Sequence, residues 1–182
     1  KLFEQIINTG AIKKSLALGP GLISSTNVVA NTEAIFNFFG FKRSFKTEFE
    51  IQCIYNANLI AAKAHLVAAK EFYSGKSEWS IYHSYVKATK QKETELPYNP
   101  IVACNERAAF LHYQELKRSK SLKDKNHSLL IDAGASYLGY GADITRTYIF
   151  ENLEFKRLIH LVDELQSSIV AHISSGVDFI DL

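Results

Sequence analysis

The sequence predicts an α+β protein in which helices pack on a mostly antiparallel sheet. Residues 128–150 (SLLIDAGASYLGYGADITRTYIF) have two strand-like apolar flanks around a turn region rich in Gly and Tyr, the pattern of an antiparallel hairpin. Stretches with helical periodicity precede and follow this hairpin, at about residues 48–89 and 153–174. A short β-branched run at 101–103 adds a further strand.

The composition is that of an ordinary globular protein. Of the 182 residues, 47% are hydrophobic, which is enough for a core, and the net charge is only +2. Lysines and acidic residues are interspersed, so no basic stripe predicts a nucleic-acid partner. No stretch approaches the roughly 18 consecutive apolar residues of a membrane span, and the N-terminus lacks a signal-peptide pattern. We therefore expect a cytoplasmic protein with neither a membrane nor a nucleic-acid partner.

Cysteine and methionine usage adds two expectations. Cys53 and Cys104 form neither a CxxC pair nor a disulfide-rich pattern, so both are predicted to be reduced residues with a structural role. The chain contains no methionine, even at position 1, and opens abruptly with KLFEQIINTG. This pattern favours a fragment of a longer protein.

The first 43 residues contain two short helical patterns separated by a loop rich in Gly, Ser and Asn. The members of the two patterns are Leu2, Phe3, Ile6 and Ile7, and then Ala34, Ile35, Phe38 and Phe39. Gly40 is predicted to cap the second helix, because glycine readily adopts the left-handed conformation that ends many helices. We expect this stretch to serve packing and an interface.

Two helices follow, each with a capping signal in front of its first turn. Thr47 followed by Glu50 is a capping box, which predicts a helix over residues 48–74. Ser77 is predicted to cap a second, amphipathic helix at about residues 78–89. The apolar stripe of the first helix is predicted to consist of Phe49, Ile51, Ile54, Leu59, Ala62, Leu66 and Ala69.

The single histidines on the predicted helices are weak candidates for metal ligands or catalytic residues. His65, in the first long helix, is by type more often a surface or hydrogen-bonded residue than a ligand. His160 and His172 lie on the predicted helix 153–174, roughly 18 Å apart, so they cannot share a metal ion and are interpreted as surface residues. The apolar face of that helix holds Phe155, Leu158, Ile159, Val162, Leu165, Ile169 and Ile173, and Gly176 is expected to end it.

Between the helices and the hairpin lies a segment with one histidine in an apolar run. The sequence Pro97-Tyr98-Asn99-Pro100 interrupts the helical pattern before the short strand 101–103. His112 follows between Leu111 and Tyr113, where a histidine is usually a core residue with a backbone partner. Residues 114–127 are charged and are interpreted as a solvated connection without a site.

Each flank of the hairpin contains one aspartate, Asp132 and Asp143. A turn centred on Tyr137 and Leu138 would set the two directly opposite each other, with Cβ atoms roughly 5 Å apart. Two carboxylates so close among apolar residues would repel unless a cation lies between them. Hard oxygen ligands without nearby cysteine suit manganese, magnesium, cobalt or zinc. Aspartates also commonly end strands, and a register shift of one residue would send the two to opposite faces.

Three segments resemble one family. IDAGASYLGYGADITRT resembles the first metal-binding hairpin of the pita-bread metallopeptidases, the family of Xaa-Pro dipeptidase and aminopeptidase P. KTEFEIQCIYNANLIAAKAHLVAAKEFYSGKSE resembles the opening helix of the catalytic domain, and PYNPIVACNERAAFLHYQ resembles the segment that lines the substrate pocket. The resemblance covers about residues 44–182 and implies the N-terminal half of a pita-bread domain, a curved, mostly antiparallel sheet covered by helices. Residues 1–43 would be the end of the preceding N-terminal domain and its linker.

The resemblance also implies a site. The family holds two divalent metal ions, usually manganese in its dipeptidases, with cobalt and zinc as alternatives, through two aspartates, one histidine and two glutamates. Asp132 and Asp143 match the two aspartates, with Asp143 bridging both ions. His112 matches an active-site histidine that is not a ligand and stabilises the oxyanion. Tyr98 and Leu111 are assigned, together with His112, to substrate binding.

The implied activity is hydrolysis of dipeptides with C-terminal proline by a hydroxide that bridges the two metal ions. Neither a GxSxG elbow nor an HExxH helix offers a competing hydrolytic site. The substrate would be a small Xaa-Pro peptide, and the full-length protein a homodimer. These residues alone are expected to be inactive. Two alternatives stay open, an Xaa-Pro aminopeptidase of the aminopeptidase P type and a catalytically silent binding scaffold.

Overall fold

A computed structural model describes residues 15–17, 19, 28–30, 32–118 and 127–182 of the chain. The chain divides into two compact units, Lys1–Ile51 and Gln52–Leu182. The first helical pattern, around Leu2 to Ile7, lies outside the described residues. The predicted domain boundary at residue 43 stays a prediction.

The first unit contains a small parallel ribbon and a helix. Strand β1 (Ser15–Ala17) pairs with β2 (Val28–Ala30), and helix α1 spans Glu33–Ser44. The predicted cap at Gly40 is wrong, because α1 continues for one more turn to Ser44 and its C-cap is Phe45, whose backbone is extended. A glycine inside a helix costs only about 1 kcal/mol, which neighbouring helical residues can offset.

Helix α2 spans Glu48–Tyr73, close to the predicted 48–74. The capping box is confirmed: the amide of Thr47 donates to Oε2 of Glu50 over 2.7 Å, and the amide of Glu50 donates to Oγ1 of Thr47 over 3.3 Å. Both bonds satisfy amides that have no partner inside the first turn.

The predicted apolar stripe of α2 is wrong for most of its members. Large residues such as Phe49, Ile51 and Leu66 are exposed in the described part of the chain, whereas small ones are buried. The buried face consists of Cys53, Ala57, Ala61, Ala64, His65, Ala68, Ala69 and Phe72. Alanines at spacings of three and four let the helix backbone approach its neighbours closely.

Helix α3 spans Glu78–Thr89 and is capped by Ser77, as predicted. Its residues Ile81 and Tyr85 are fully buried. They join α2 residues and strand residues in one core, formed by Ala64, Ala68, Phe72, Ile81, Tyr85, Val102, Cys104, Leu129, Ile131 and Ala133. Cys53 and Cys104 are buried free cysteines, in agreement with the sequence.

The sheet of the second unit has three antiparallel strands in the order β3-β4-β7. They are β3 (Ile101–Cys104), β4 (Ser128–Asp132) and β7 (Thr145–Ile149), and the short strands β5 (Ser136–Tyr137) and β6 (Tyr140–Gly141) close the tip of the hairpin. Leu129 and Ile131 of β4 are buried in the core that α2 and α3 share. Because side chains alternate along a strand, Asp132 points to the other face.

The turn of the hairpin lies one residue later than predicted. Tyr137 pairs with Tyr140, so Leu138 and Gly139 are the central turn residues, with φ of 48° and 84°. Two-residue hairpin turns of type I′ require positive φ at both positions, and glycine meets this requirement at the second one without strain.

Helix α4 spans Leu153–His172, two residues shorter than predicted, and is capped by Asn152. None of its residues is buried within the described part of the chain, so its apolar face is exposed. His160 and His172 are exposed, as predicted. No helix among the described residues is long and apolar enough to cross a membrane.

Candidate metal centre

Asp132 and Asp143 lie near the tip of the hairpin. Asp132 ends β4, and Asp143 lies in the short connection between β6 and β7. Asp132 pairs with Thr145, so the predicted direct pairing with Asp143 is wrong by two residues. Because side chains alternate along a strand, a shift of two residues keeps both aspartates on the same face. They are diagonal neighbours rather than direct partners.

The hydroxyl of Tyr98 joins the two carboxylates. Its oxygen lies 2.6 Å from Oδ1 of Asp132 and 2.8 Å from Oδ1 of Asp143. Two oxygens that contact one hydroxyl can be no further apart than the combined length of the two bonds, so the carboxylates converge on one point. The hydroxyl has a single proton and donates it to one carboxylate at a time. Burial raises the pKa of Tyr98, as do its bonds to both aspartates, so the phenol stays protonated at neutral pH.

A cavity of about 370 Å³ opens beside the two carboxylates. Its lining consists of Tyr98, Asn99, Ile101, His112, Gln114, Asp132 and Asp143. The structure therefore brings both His112 and Tyr98 to the aspartates. Tyr98 is 34 positions away from Asp132 in the sequence. Leu111 is 93% exposed and does not belong to this lining.

A larger groove, of about 670 Å³, runs along α4 and β7. Its lining is mainly apolar and contains a single carboxylate, that of Asp163. One carboxylate offers no converging pair of oxygens for a divalent ion. The smaller cavity is therefore the better candidate for a metal centre.

The backbone behind the aspartates is held by two buried side chains that were not predicted. Nε2 of His65 lies 3.0 Å from the carbonyl oxygen of Ala133, and the hydroxyl of Tyr85 donates to the carbonyl of Gly134 over 3.1 Å. The two rings contact each other edge to face, with centroids 5.3 Å apart. Burial lowers the pKa of His65, so the ring is neutral at pH 7 and donates through Nε2. Of the two readings that the sequence left for His65, a surface residue or a hydrogen-bonded one, the structure excludes the first and agrees with the second through Nε2, but nothing in the sequence indicated its partner.

Gly134 is required by the close approach of the two strands. A Cβ atom at this position would lie 1.9 Å from the carbonyl oxygen of Ala142 and 2.8 Å from Cγ of Pro97. The first neighbour is backbone and cannot swing away. The glycine therefore lets the backbone that follows Asp132 lie directly against the backbone that precedes Asp143.

A second polar cluster lies around Glu78, the first residue of α3, whose side chain is 1% exposed. Oε1 accepts from the amide of Cys104 over 2.7 Å and from Nε of Arg107 over 2.6 Å. Oε2 accepts from the hydroxyl of Tyr113 over 3.0 Å and from the amide of Lys117 over 2.9 Å. The described end of the 114–127 connection is thus anchored, contrary to the prediction of a merely solvated segment.

The aspartate pair fits part of a divalent metal site. Its oxygens are the hard donors that such ions prefer, and no described lysine or arginine forms an ion pair with either carboxylate. Among the described residues, no group of three or more His, Cys, Asp and Glu side chains is placed to hold an ion. The pair alone would leave an ion with too few protein ligands.

A helix-backed antiparallel sheet with two carboxylates on one face agrees with a partial pita-bread domain. The family model of metallopeptidase family M24 matches residues 52–182. The chain belongs to this family.

Similar proteins agree with this assignment. The chain is 45% identical over 152 residues to an Xaa-Pro dipeptidase of Shewanella woodyi, which covers 84% of this chain and 34% of that protein. An Xaa-Pro dipeptidase of Shewanella amazonensis is 44% identical with the same coverage. The chain thus spans about a third of the length of these relatives.

Solved structures confirm the fold. The prolidase from Thermococcus sibiricus superposes with a TM-score of 0.73 at 23% identity, over 97% of this chain and 50% of that one. Aminopeptidase P from Escherichia coli gives a TM-score of 0.56 at 29% identity, over 70% of this chain and 28% of that one. The predicted partial pita-bread fold is therefore correct.

Proposed function

We propose that the protein hydrolyses dipeptides with C-terminal proline in a reaction that depends on divalent metal ions. The observation that carries this proposal is the convergence of Asp132 and Asp143 on the hydroxyl of Tyr98 beside the His112 cavity. Membership of metallopeptidase family M24 and the 45% identity to an Xaa-Pro dipeptidase support it.

Asp132 and Asp143 would hold two divalent ions, with Asp143 shared between them. Manganese is the proposed metal, and cobalt and zinc are the alternatives. When bound, the ions would supply a nucleophile from water at neutral pH and polarise the scissile carbonyl. The remaining ligands, a histidine and two glutamates, would come from outside residues 1–182. A cytoplasmic homodimer is part of the same proposal.

The side chains of this chain would position the reaction. Tyr98 donates to the aspartates and thereby fixes the direction of their carboxylates. His112 would direct a hydrogen bond at the oxyanion that develops on the scissile carbonyl. The cavity beside the aspartates, of about 370 Å³ within the described residues, would supply one part of the substrate site. Proline imides need such a dedicated site, because their nitrogen has no hydrogen and their ring fixes φ.

The test is to purify the complete polypeptide, strip it of metal and titrate it with manganese while an Xaa-Pro dipeptide is the substrate. We expect cleavage that requires manganese, and a loss of at least about a thousandfold in kcat/KM for Asp143→Asn together with lower metal content. Asp163→Asn, at an exposed aspartate of α4, is the matched control and should retain activity. Cleavage that persists without metal, or unchanged in Asp143→Asn, would contradict the proposal.

The aminopeptidase P alternative is favoured by one observation, the likeness to aminopeptidase P from Escherichia coli at 29% identity. A tripeptide with proline in second place separates the two activities. Preference for the tripeptide over the Xaa-Pro dipeptide would assign the protein to the aminopeptidase. Metal binding without cleavage of either peptide would favour the silent scaffold.

A further inference from the structure

Glu78 is a buried carboxylate that has no part in the proposed metal and substrate site. Its carboxylate accepts from two backbone amides, one guanidinium and one phenol, and these donors come from positions 104, 107, 113 and 117. The backbone amide of Trp79 also donates to the carbonyl of Lys117 over 3.2 Å. The first turn of α3 therefore anchors both ends of the segment 104–117, which we call the histidine loop because it carries His112.

The histidine loop has few other supports near its tip. Phe110 and Leu111 are 65% and 93% exposed, and His112 has a φ of 55°, a left-handed conformation that non-glycine residues rarely adopt. Such a conformation persists only where the surroundings hold it. The next residue, Tyr113, provides that hold, because its hydroxyl lies between the carboxylate of Glu78 and the backbone carbonyl of Glu115 and can donate to either.

Neighbouring side chains of the loop point in different directions. His112 and Gln114 line the cavity with the aspartates, whereas Tyr113 between them reaches the buried carboxylate of Glu78. Turning Tyr113 away from Glu78 would also turn His112 and Gln114 relative to the cavity. The contacts of the Tyr113 hydroxyl with Glu78 and with the Glu115 carbonyl therefore hold the backbone on either side of Tyr113, from which His112 and Gln114 project.

We propose that Glu78, acting through Tyr113, is a positioning residue of the active site that orients His112 toward the aspartate pair. Glu78 itself contacts neither the cavity nor the aspartates among the described residues. The proposal rests on the proposed function for its effect on turnover, but its structural part concerns only the direction of His112.

The kinetic test is a double-mutant cycle on the complete, manganese-loaded polypeptide with an Xaa-Pro dipeptide. Tyr113→Phe removes one hydroxyl and keeps the ring, and we expect kcat to fall about fivefold with metal content and KM nearly unchanged. In the His112→Ala background the same change should alter kcat by less than about twofold. Glu78→Gln should lower kcat at least as much as Tyr113→Phe, because the amide group of glutamine cannot accept from all four donors of the carboxylate. Tyr55→Phe and Glu48→Gln, at exposed positions of α2, are the matched controls.

Equal losses in both backgrounds would overturn the proposal, because Tyr113 would then act independently of His112. A second measurement does not need catalysis: the ring carbon signals of isotope-labelled histidine, with the His112 signal identified by its loss in His112→Ala. Tyr113→Phe should shift the His112 signal and leave that of exposed His160 in place. An unmoved His112 signal would refute the positioning role, whereas a shifted signal in a protein without peptidase activity would refute only the proposed function.

Discussion

The hairpin with the aspartates and the histidine loop meet at one cavity, but different forces hold them. The hairpin lies on a core of alanines and fully buried large side chains, and its backbone carbonyls accept from His65 and Tyr85. The histidine loop is held by the buried carboxylate of Glu78 and its four donors. Burying a charge costs several kcal/mol unless it is paired and hydrogen-bonded.

This difference indicates that the position of the histidine loop can be changed by mutation without changing the position of the hairpin. Apolar burial is distributed over many contacts, so the position of the hairpin depends on the whole core. The histidine loop depends more on directional bonds: several go to Glu78, Asn105 accepts from the amides of His127 and Ser128, and Leu116 packs against the core. Under the proposed function, the aspartate pair should be fixed in place, whereas the direction of His112 can be tuned by changing a few bonds.

The largest effect is expected where the two strands of the hairpin approach each other. Gly134→Ala places a Cβ atom 1.9 Å from the carbonyl oxygen of Ala142, and the strands must separate to admit it. We expect the free energy of unfolding to fall by more than about 3 kcal/mol, measured by denaturant titration.

The matched control is Gly40→Ala in α1, where a Cβ atom meets nothing within 4 Å. That change should stabilise the protein by about 0.5–1 kcal/mol. A Gly134→Ala variant with the stability of the wild type would mean that the strands are not held as closely as described.

A pair of identical changes compares the two regions directly. Tyr85→Phe removes the buried bond to the carbonyl of Gly134, and Tyr113→Phe removes the half-buried hydroxyl that contacts Glu78 and the carbonyl of Glu115. We expect Tyr85→Phe to lower the free energy of unfolding by about 1 kcal/mol, because a buried carbonyl loses its partner, and Tyr113→Phe to cost less. The reverse order in thermal and denaturant unfolding would show that the histidine loop, not the hairpin, is the more rigid region.

The smallest effect concerns pH. Burial lowers the pKa of His65 below its ordinary value of 6.5. Above pH 6.5 the ring is neutral in both the folded and the unfolded chain, so its contribution to stability is fully present there. Below that pH the unfolded chain takes up a proton that the folded chain does not, and stability falls until the lowered pKa is reached.

The expected loss from this source is less than about 1 kcal/mol at pH 6 relative to pH 8. The measurement is the free energy of unfolding of the metal-free protein against pH, for the wild type and for His65→Gln. The variant should lose stability less steeply below pH 6.5, while His160→Gln, at an exposed histidine, should follow the wild type. Parallel curves for all three proteins would contradict a buried neutral His65.

Local signals predicted the secondary structure well. The capping residues Thr47 and Ser77 contact amides three positions away, so the information lies within one turn of chain. The register of the hairpin was harder to predict from the sequence. It depends on which two residues form the centre of the turn, and that choice depends on which residues adopt positive φ. Two residues of error kept the aspartates on one face only because the side-chain period of a strand is two.

The site residues that belong to a local sequence pattern could be predicted. Those that are placed by contacts between distant positions could not. The aspartates could be singled out from apolar strands and a family resemblance. The donors of Glu78, by contrast, lie 26 to 39 positions from it, and the acceptor of His65 lies 68 positions away. The buried stripe of α2 was missed for the same reason, because only the partner surface decides whether alanines or larger residues are covered.

The alanine face of α2 has a consequence for how the helix is located along its own axis. Methyl groups present an almost smooth surface, so Ala57, Ala61, Ala64 and Ala68 let the helix come near but offer little resistance to sliding, and Phe72 is the large apolar side chain of this face. Hydrophobic attraction does not supply a direction. The hydrogen bond from His65 to the carbonyl of Ala133 is directional, so it fixes the position of α2 along its axis relative to the residue that follows Asp132.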